Sequence, residues 1–342
     1  MATTRRGPGR RAAVGLAWVA AATGAVLVLL GALPALQLRH PIAAMATAFV
    51  PYGVLAWLVV TLVVLTSRSW RVRAVALLTI PLLALQVAWT RPYWPREAAT
   101  AGPPSGATLT VMTLSTYYGR ADAAQLAAEA ARARPDVVVL TEVTEDGMAA
   151  LRATAWGEMF PNRVGEAGPA WTSEGTMVYS PWPLELLEAP ATSDDTYVVR
   201  VEAPAGPVTV FAVHVANPQT GFAEWAPDLA VVRQVSERHL GESLVVVGDF
   251  NATREHAPLG DLLAVGLADA AEQAGRGWLP TFPAQRLYGP WAGIHYPSVI
   301  GLDHVLVGPG VEATEVRAFR VDGTDHRGLA ARLTLRDASG AP

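Results

Sequence analysis

The sequence predicts an α/β fold of two packed sheets flanked by helices, preceded by an all-α transmembrane region of three helices. Three observations carry this expectation. The first 90 residues hold three long apolar stretches, the pattern after residue 108 changes to short β-rich runs interleaved with helical ones, and the charge reverses between the two parts. Residues 1–107 contain ten arginines and one acid, Glu97; the remainder contains sixteen arginines and 29 acids, giving formal charges of +9 and −13 within a total of −4 over 342 residues. Two such parts belong in different surroundings. The acidic part argues against broad affinity for nucleic acid, which needs a basic surface to displace counterions, and favours a bound cation. The absence of cysteine excludes disulfides, thiolate metal sites and a thiol nucleophile.

The apolar stretches are residues 13–36, 43–66 and 74–89, the last interrupted by Pro81. Each approaches the roughly 20 helical residues that span a hydrocarbon core, and none has the polar face a helix of a soluble protein would present. Arg5, Arg6, Arg10 and Arg11 precede the first stretch; Arg68, Arg71 and Arg73 separate the second and third; the first connection has only Arg39. The positive-inside rule then puts the N-terminus in the cytoplasm and, after three spans, the C-terminal part outside. Trp89, Tyr93 and Trp94 are expected at the outer interface. The first stretch is too long, and too closely followed by others, for a cleaved signal peptide. The organisation expected is an anchor over 1–96, a linker rich in Ala, Gly and Pro over 97–107, a catalytic domain over 108–336 and a tail over 337–342.

Within the outer part, 109–117 reads as a strand, 122–134 as an Ala-rich helix and 136–143 as a buried strand centred on VVVL, with Pro135 separating the last two. Further strands are expected at 176–180, 197–202, 208–215, 244–248, 302–307 and 329–335, and a helix at 226–240. Core packing is the default expectation for Trp171, Trp225, Trp278 and Trp291.

Chemistry-bearing residues fall where strands end. Glu142 follows VVVLT, His214 ends VFAVH, Asp249 and Asn251 follow LVVVG in GDFN, Asp303 opens DHVLV, and Asp325–His326 precede the final strand. A strand end lets a rigid sheet present a short polar side chain to a cleft. Glu142 suits a hard-cation ligand, or else a solvated strand-end acid. Asp249 can orient water or ligate metal and Asn251 can donate to a phosphoryl oxygen, unless GDFN is only an Asx turn. His326 is the general acid–base candidate, with Asp303 as its orienting carboxylate. His214 can donate to a phosphoryl oxygen or serve in packing.

Taken in order, TLSTYYG, PDVVVLTEV, FAVHVANP, VVVGDFNAT, TFP, GLDHVLV and GTDHRG resemble the signature blocks of the endonuclease/exonuclease/phosphatase family, whose fold is similar to that of deoxyribonuclease I. The resemblance covers residues 108–336. It implies a four-layer α/β/β/α sandwich of two mixed sheets with the site at one rim. It further implies metal ligation by Glu142, water activation or metal contact by Asp249, transition-state contact by Asn251 and His214, orientation of His326 by Asp303, and completion of the metal and acid–base end by Asp325 and His326. The implied cofactor is Mg²⁺ or Mn²⁺. One departure stands out: the first block commonly carries an Asn at the metal or phosphate contact, where this chain has Ser115. Three spans before such a domain look like the bacterial branch associated with glycopeptide-antibiotic resistance.

The expectation is therefore a membrane-anchored, metal-dependent phosphoesterase acting outside the cytoplasmic membrane on a phosphate ester or pyrophosphate, lipid-linked substrates included, with the bilayer as its other partner. An extracellular nuclease, using arginines near Arg254, Arg286 or Arg327, and a non-catalytic sensor or binding module are the alternatives.

Overall fold

In the computed structural model the described residues are 8–96, 107–285 and 293–335, with side chains from Ala12 onward; the expected linker up to residue 106, Arg286, Trp291 and the tail lie outside them. They divide into two units between Pro92 and Tyr93.

The first unit is helical because its long apolar runs contain no acid, and the few threonines in them bond back into the helix where they compete at all, as Thr47 Oγ1 does by donating to the Ala43 carbonyl at 2.8 Å. It comprises α1 (Pro8–Ala32), α2 (Pro41–Thr47), α3 (Gly53–Leu65), α4 (Trp70–Arg73) and α5 (Ala76–Trp89). Residues Ala12–Ala32 and Trp70–Trp89 are each long and apolar enough to cross a membrane. The middle stretch is not one straight helix. Pro41–Thr47 and Val50–Leu65 meet at 58°, so the unit offers two such spans, or three if this bent pair is one. Pro51 lies at the bend, where a ring in place of the N–H breaks helical hydrogen bonding. Pro81, by contrast, does not interrupt α5, which continues through it. Small residues let the helices approach: a Cβ on Gly24 would meet the Trp57 ring, and one on Gly53 the Gln86 amide.

Among its described residues the second unit holds twelve strands: β1 (Ala107–Ser115), β2 (Val137–Thr141), β3 (Asn162–Glu166), β4 (Thr176–Ser180), β5 (Leu184–Glu188), β6 (Tyr197–Ala203), β7 (Gly206–His214), β8 (Leu244–Asp249), β9 (Ala268–Asp269), β10 (Asp303–Val307), β11 (Val311–Phe319) and β12 (Gly328–Leu335). They form two six-stranded mixed sheets, ordered β11-β12-β1-β2-β4-β3 and β5-β6-β7-β8-β10-β9. β1 runs parallel to β2 and β7 to β8; the other pairs are antiparallel.

The apolar runs of the central strands are continuous because both faces are covered. Val137 and Val139 of β2 pack inward with Val210, Val245, Val247 and Val305 of the other sheet. Val138 and Leu140 point the opposite way, into a second cluster with Leu126, Met148, Leu151, Trp156 and Phe160. That outer layer is built by α6 (Ala123–Ala133), α7 (Glu145–Arg152) and α8 (Trp156–Met159). α9 (Phe222–His239) covers β7 and β8 on the far side, packed against α10 (Ala257–Ala264); a short α11 (Ala270–Gln273) follows β9. The helix start at Asp122 is held by its carboxylate accepting from the Gln125 N–H at 2.9 Å, and the stop by Arg134 in the left-handed region before Pro135.

Every strand expected from the sequence is present. The four strands not expected, β3, β5, β9 and β11, are the four edges of the two sheets. Edge strands carry charge on exposed faces, as in NRVGE, LELLE and VEATEVRAF, so they lack the apolar signature. Of the tryptophans expected in the core, Trp225 is fully buried, whereas Trp171 is 72% exposed and Trp278 36%.

At the C-terminal end of α9, His239 faces two carboxylates, with Nε2 2.7 Å from Glu188 and Nδ1 2.9 Å from Glu242. Burial opposes charging this ring, but hydrogen bonds to Glu188 and Glu242 hold its pKa above 6.5. Both carboxylates sit below their usual 4.5: burial opposes this, and the partner hydrogen bonds outweigh it. A raised histidine stabilises the fold fully below its unfolded pKa and loses that effect as pH rises through the folded value; the carboxylates lose theirs as pH falls through their depressed values. We expect His239→Gln to cost about 0.5–1 kcal/mol near about pH 6, after solvent screening, and almost nothing near about pH 9, as read from urea midpoints at both values.

Candidate active site

Strand register places the polar strand ends side by side. His214 of β7 pairs with Asp249 of β8, and Asp249 pairs with Asp303 of β10. In the other sheet Ser115 pairs with Thr141, and Glu142 follows directly. The turn before β12 is tied to this rim: Thr324 Oγ1 donates to the Ser115 carbonyl at 2.7 Å, and the His326 N–H donates to Thr324 Oγ1 at 3.1 Å.

The tightest contact is between His326 and Asp303. Nδ1 of the imidazole lies 2.8 Å from Asp303 Oδ2, and Nε2 points toward Asp249 Oδ2 at 3.8 Å. All three residues are buried. Burial works against charge on His326, but Asp303, Asp249 and Asp325 together raise its pKa well above 6.5. Burial raises that of Asp249, with Asp303 adding to the shift and His326 opposing it. The other Asp249 oxygen accepts from the Asn251 N–H at 2.8 Å, and the Asn251 amide donates to the Val215 carbonyl at 2.9 Å. Asn251 holds this posture in the left-handed region, φ 45°. His214 lies 4.0 Å from Asp194 through Nδ1, which has no hydrogen-bond partner among the described residues.

Glu142 also has a left-handed backbone, φ 56°, which for this residue type stores strain. One of its carboxylate oxygens accepts from the Tyr118 N–H at 3.1 Å. Burial raises its pKa, and His214 and His326 pull it down, so all three share one electrostatic neighbourhood. Asp325 is raised by burial too, against the pull of His326, and its Oδ1 is buried without a hydrogen-bond partner among the described residues. Ser115 is fully buried, and its Oγ has no partner among the described residues.

These residues fit a hard divalent cation. Glu142, Asp249 and Asp325 all have burial-raised pKa values, an excess of desolvated carboxylate that a cation would relieve, and the donors are oxygen. The one tight cluster with metal-ligand atoms among the described residues joins Asp249, Asp303 and His326, within 4.8 Å of one another. Glu142, Asp325 and Ser115 stand outside it. Because Asp303 Oδ2 is engaged by the imidazole, this cluster reads more naturally as an oriented histidine facing an aspartate than as a closed cage.

Several supporting residues were not singled out in the sequence. His304, next to Asp303, is held between Asp269 Oδ2 and the Ala252 carbonyl, 2.9 Å from each. Burial opposes its protonation, yet the Asp269 hydrogen bond raises its pKa, and the pair props the loop after Asn251. Thr281 Oγ1, in TFP, accepts from the N–H groups of Leu302 and Asp303 at 3.1 and 3.3 Å. Tyr117 and Tyr118 are left-handed like Glu142, and Arg120 lies 5.2 Å over the Tyr117 ring and 4.5 Å over that of exposed Trp171. Of the arginines named for the nuclease alternative, Arg254 is paired with Glu272, and Arg327 donates to the Pro280 carbonyl. A signal for Thr281 existed in the TFP block; His304 gave none, since a strand histidine reads as packing.

Residues 112–326 match the model of the endonuclease/exonuclease/phosphatase family. Among solved structures, an endonuclease/exonuclease/phosphatase from Beutenbergia cavernae DSM 12333 is similar, with 20% identity and a TM-score of 0.53 over 69% of this chain and 73% of that one. A humanized D. rerio TDP2 gives 18% identity and a TM-score of 0.52, over 66% of this chain and 99% of that one. D. rerio TDP2 complexed with a single-strand DNA product gives 18% and 0.51 over the same shares. At these identities the likeness concerns the fold. No curated protein matches.

Thr281→Val keeps the shape of the side chain but leaves two N–H groups beside Asp303 without their acceptor. We expect a loss of about 1–3 kcal/mol in urea unfolding followed by tryptophan fluorescence.

Proposed function

Because the chain belongs to the endonuclease/exonuclease/phosphatase family, we propose that it hydrolyses a phosphate ester or pyrophosphate at the outer face of the membrane, with a lipid-linked phosphate as substrate. The observation that carries the hydrolytic reading is the Asp303–His326 hydrogen bond, which aims the free imidazole nitrogen at Asp249 in a buried rim shared with Glu142, His214 and Asn251.

Asp249 accepts a proton from the attacking water, helped by burial that makes its carboxylate more basic than a surface one. His326, kept protonated by Asp303 and its other carboxylate neighbours, donates toward the phosphoryl or leaving-group oxygen. Asn251, fixed through Val215, and His214 offer further hydrogen bonds where negative charge grows. Glu142, Asp325, Asp249 and Ser115 would hold a divalent cation, Mg²⁺ or Mn²⁺, which would supply positive charge against the phosphoryl oxygens. The ledge of Tyr117, Arg120 and Trp171 gives the leaving group an amphipathic surface beside Glu142.

The membrane reading rests on the two or three helices apolar enough to cross and on the arginine distribution. Tethering concentrates a bilayer-borne substrate near the site. The −13 formal charge beyond residue 107 disfavours a polyanion.

With full-length protein in detergent and Mg²⁺, we expect phosphate release from a polyprenyl pyrophosphate and negligible nicking of a plasmid. Asp249→Ala and His326→Ala should each lower turnover by about 10²–10⁴-fold. No cleavage of any phosphate ester, or unchanged variants, defeats the hydrolase reading; cleavage of the plasmid alone defeats the lipid one. Topology is tested separately, since the chain has no cysteine. In intact cells a membrane-impermeant maleimide should label Glu185→Cys and spare Arg71→Cys; the reverse pattern places the catalytic unit inside.

A further inference from the structure

Away from the rim, the outer face of the first sheet holds a cavity of about 280 Å³ under α7 and α8, lined by Met148, Leu151, Arg152, Trp156, Phe160, Arg163 and Tyr179 among others. Its floor is apolar and aromatic: Trp156 packs on Phe160 and edge-on against Tyr179, with centroids 4.7 and 5.4 Å apart. Its charged side chains, Arg152 and Arg163, are both cationic. Arg152 and Arg163 come from different elements, α7 and β3, and bracket the Met148 sulfur at 3.2 and 3.5 Å. A thioether is a weak acceptor, and among the described residues neither guanidinium has an ion-pair partner. The Trp156 indole nitrogen and Tyr179 hydroxyl, on two residues of the wall, are buried without a hydrogen-bond partner. Burial pushes the Tyr179 phenol up to about 12, partly offset by Arg163 and Arg152, so it keeps its proton.

Two exposed guanidiniums, neither with an ion-pair partner among the described residues, converge on the Met148 sulfur at this cavity. Planar guanidinium forks match carboxylate and phosphate oxygens. The volume is several times the roughly 30 Å³ share of a water and sits at the small end of ligand pockets. We propose that this cavity is a second binding site, distinct from the rim, for a small organic anion: a phosphate, phosphonate or carboxylate carrying a compact apolar body such as one ring. The body lies on Trp156, Phe160 and Leu151, and the oxygens lie between Arg152 and Arg163. Nothing in the hydrolytic reading depends on this site.

The test uses full-length protein in detergent with EDTA, titrated calorimetrically with phenylphosphonate, which cannot be hydrolysed as an ester. We expect one saturable site that weakens by about tenfold or more in the Arg152→Gln/Arg163→Gln double variant and is unchanged by Asp249→Asn. Inorganic phosphate, lacking the body, and benzyl alcohol, lacking the charge, should each bind about tenfold or more weakly. The proposal is overturned if no saturable binding occurs, if the double arginine variant binds as the parent does, or if Asp249→Asn abolishes binding. Equal affinity for benzyl alcohol removes the anion requirement, and equal affinity for inorganic phosphate removes the apolar one; either result also overturns it.

Discussion

The pairing of β8 with β7 on one side and β10 on the other is the constraint on which the polar rim depends. In that register His214, Asp249 and Asp303 stand on three adjacent strands at one level. A one-residue slip would turn each of them to the opposite face. The register is held by burial of Val245 and Val247 against the facing sheet, so the hydrophobic core and the placement of the polar residues are one problem with one solution. Hydrophobic burial here orients chemistry it does not take part in.

The rim is also where the fold departs from relaxed geometry. Glu142, Asn251, Tyr117 and Tyr118 have left-handed backbones, and three carboxylates have pKa values raised by desolvation. Backbone strain and buried charge of one sign both cost stability, and both persist because the surrounding sheets over-determine the positions. The hydrogen bonds that maintain them run through backbone and supporting side chains: Tyr118 to Glu142, Thr324 to Ser115, His304 to Ala252 and Thr281 to the start of β10. A cation at this rim would meet carboxylates already desolvated, Asp249 fully and Glu142 and Asp325 in part.

The cavity under α7 and α8 follows the opposite logic. At the rim carboxylates exceed their counter-charges; in the cavity guanidiniums do. The acidic formal charge of this part of the chain therefore averages over two local surpluses of opposite sign, one suited to a cation and one to an anion.

The residue types along the chain determined a good deal. Runs apolar on all sides mark the membrane-compatible helices, and continuous Val-rich runs mark the strands covered on both faces, because burial demands apolar side chains wherever it occurs. Strand-end carboxylates and histidines were legible too, through their positions after those runs. Only the tertiary structure decided the four edge strands, whose exposed faces tolerate charge and so carry no apolar pattern, and the bend at Pro51. It alone brought Asp303 to His326 across 23 residues of chain and Arg152 to Arg163 around one sulfur. Distances between residues remote in sequence depend on sheet order and register, and those arise from the packing of the whole unit rather than from any local stretch of it.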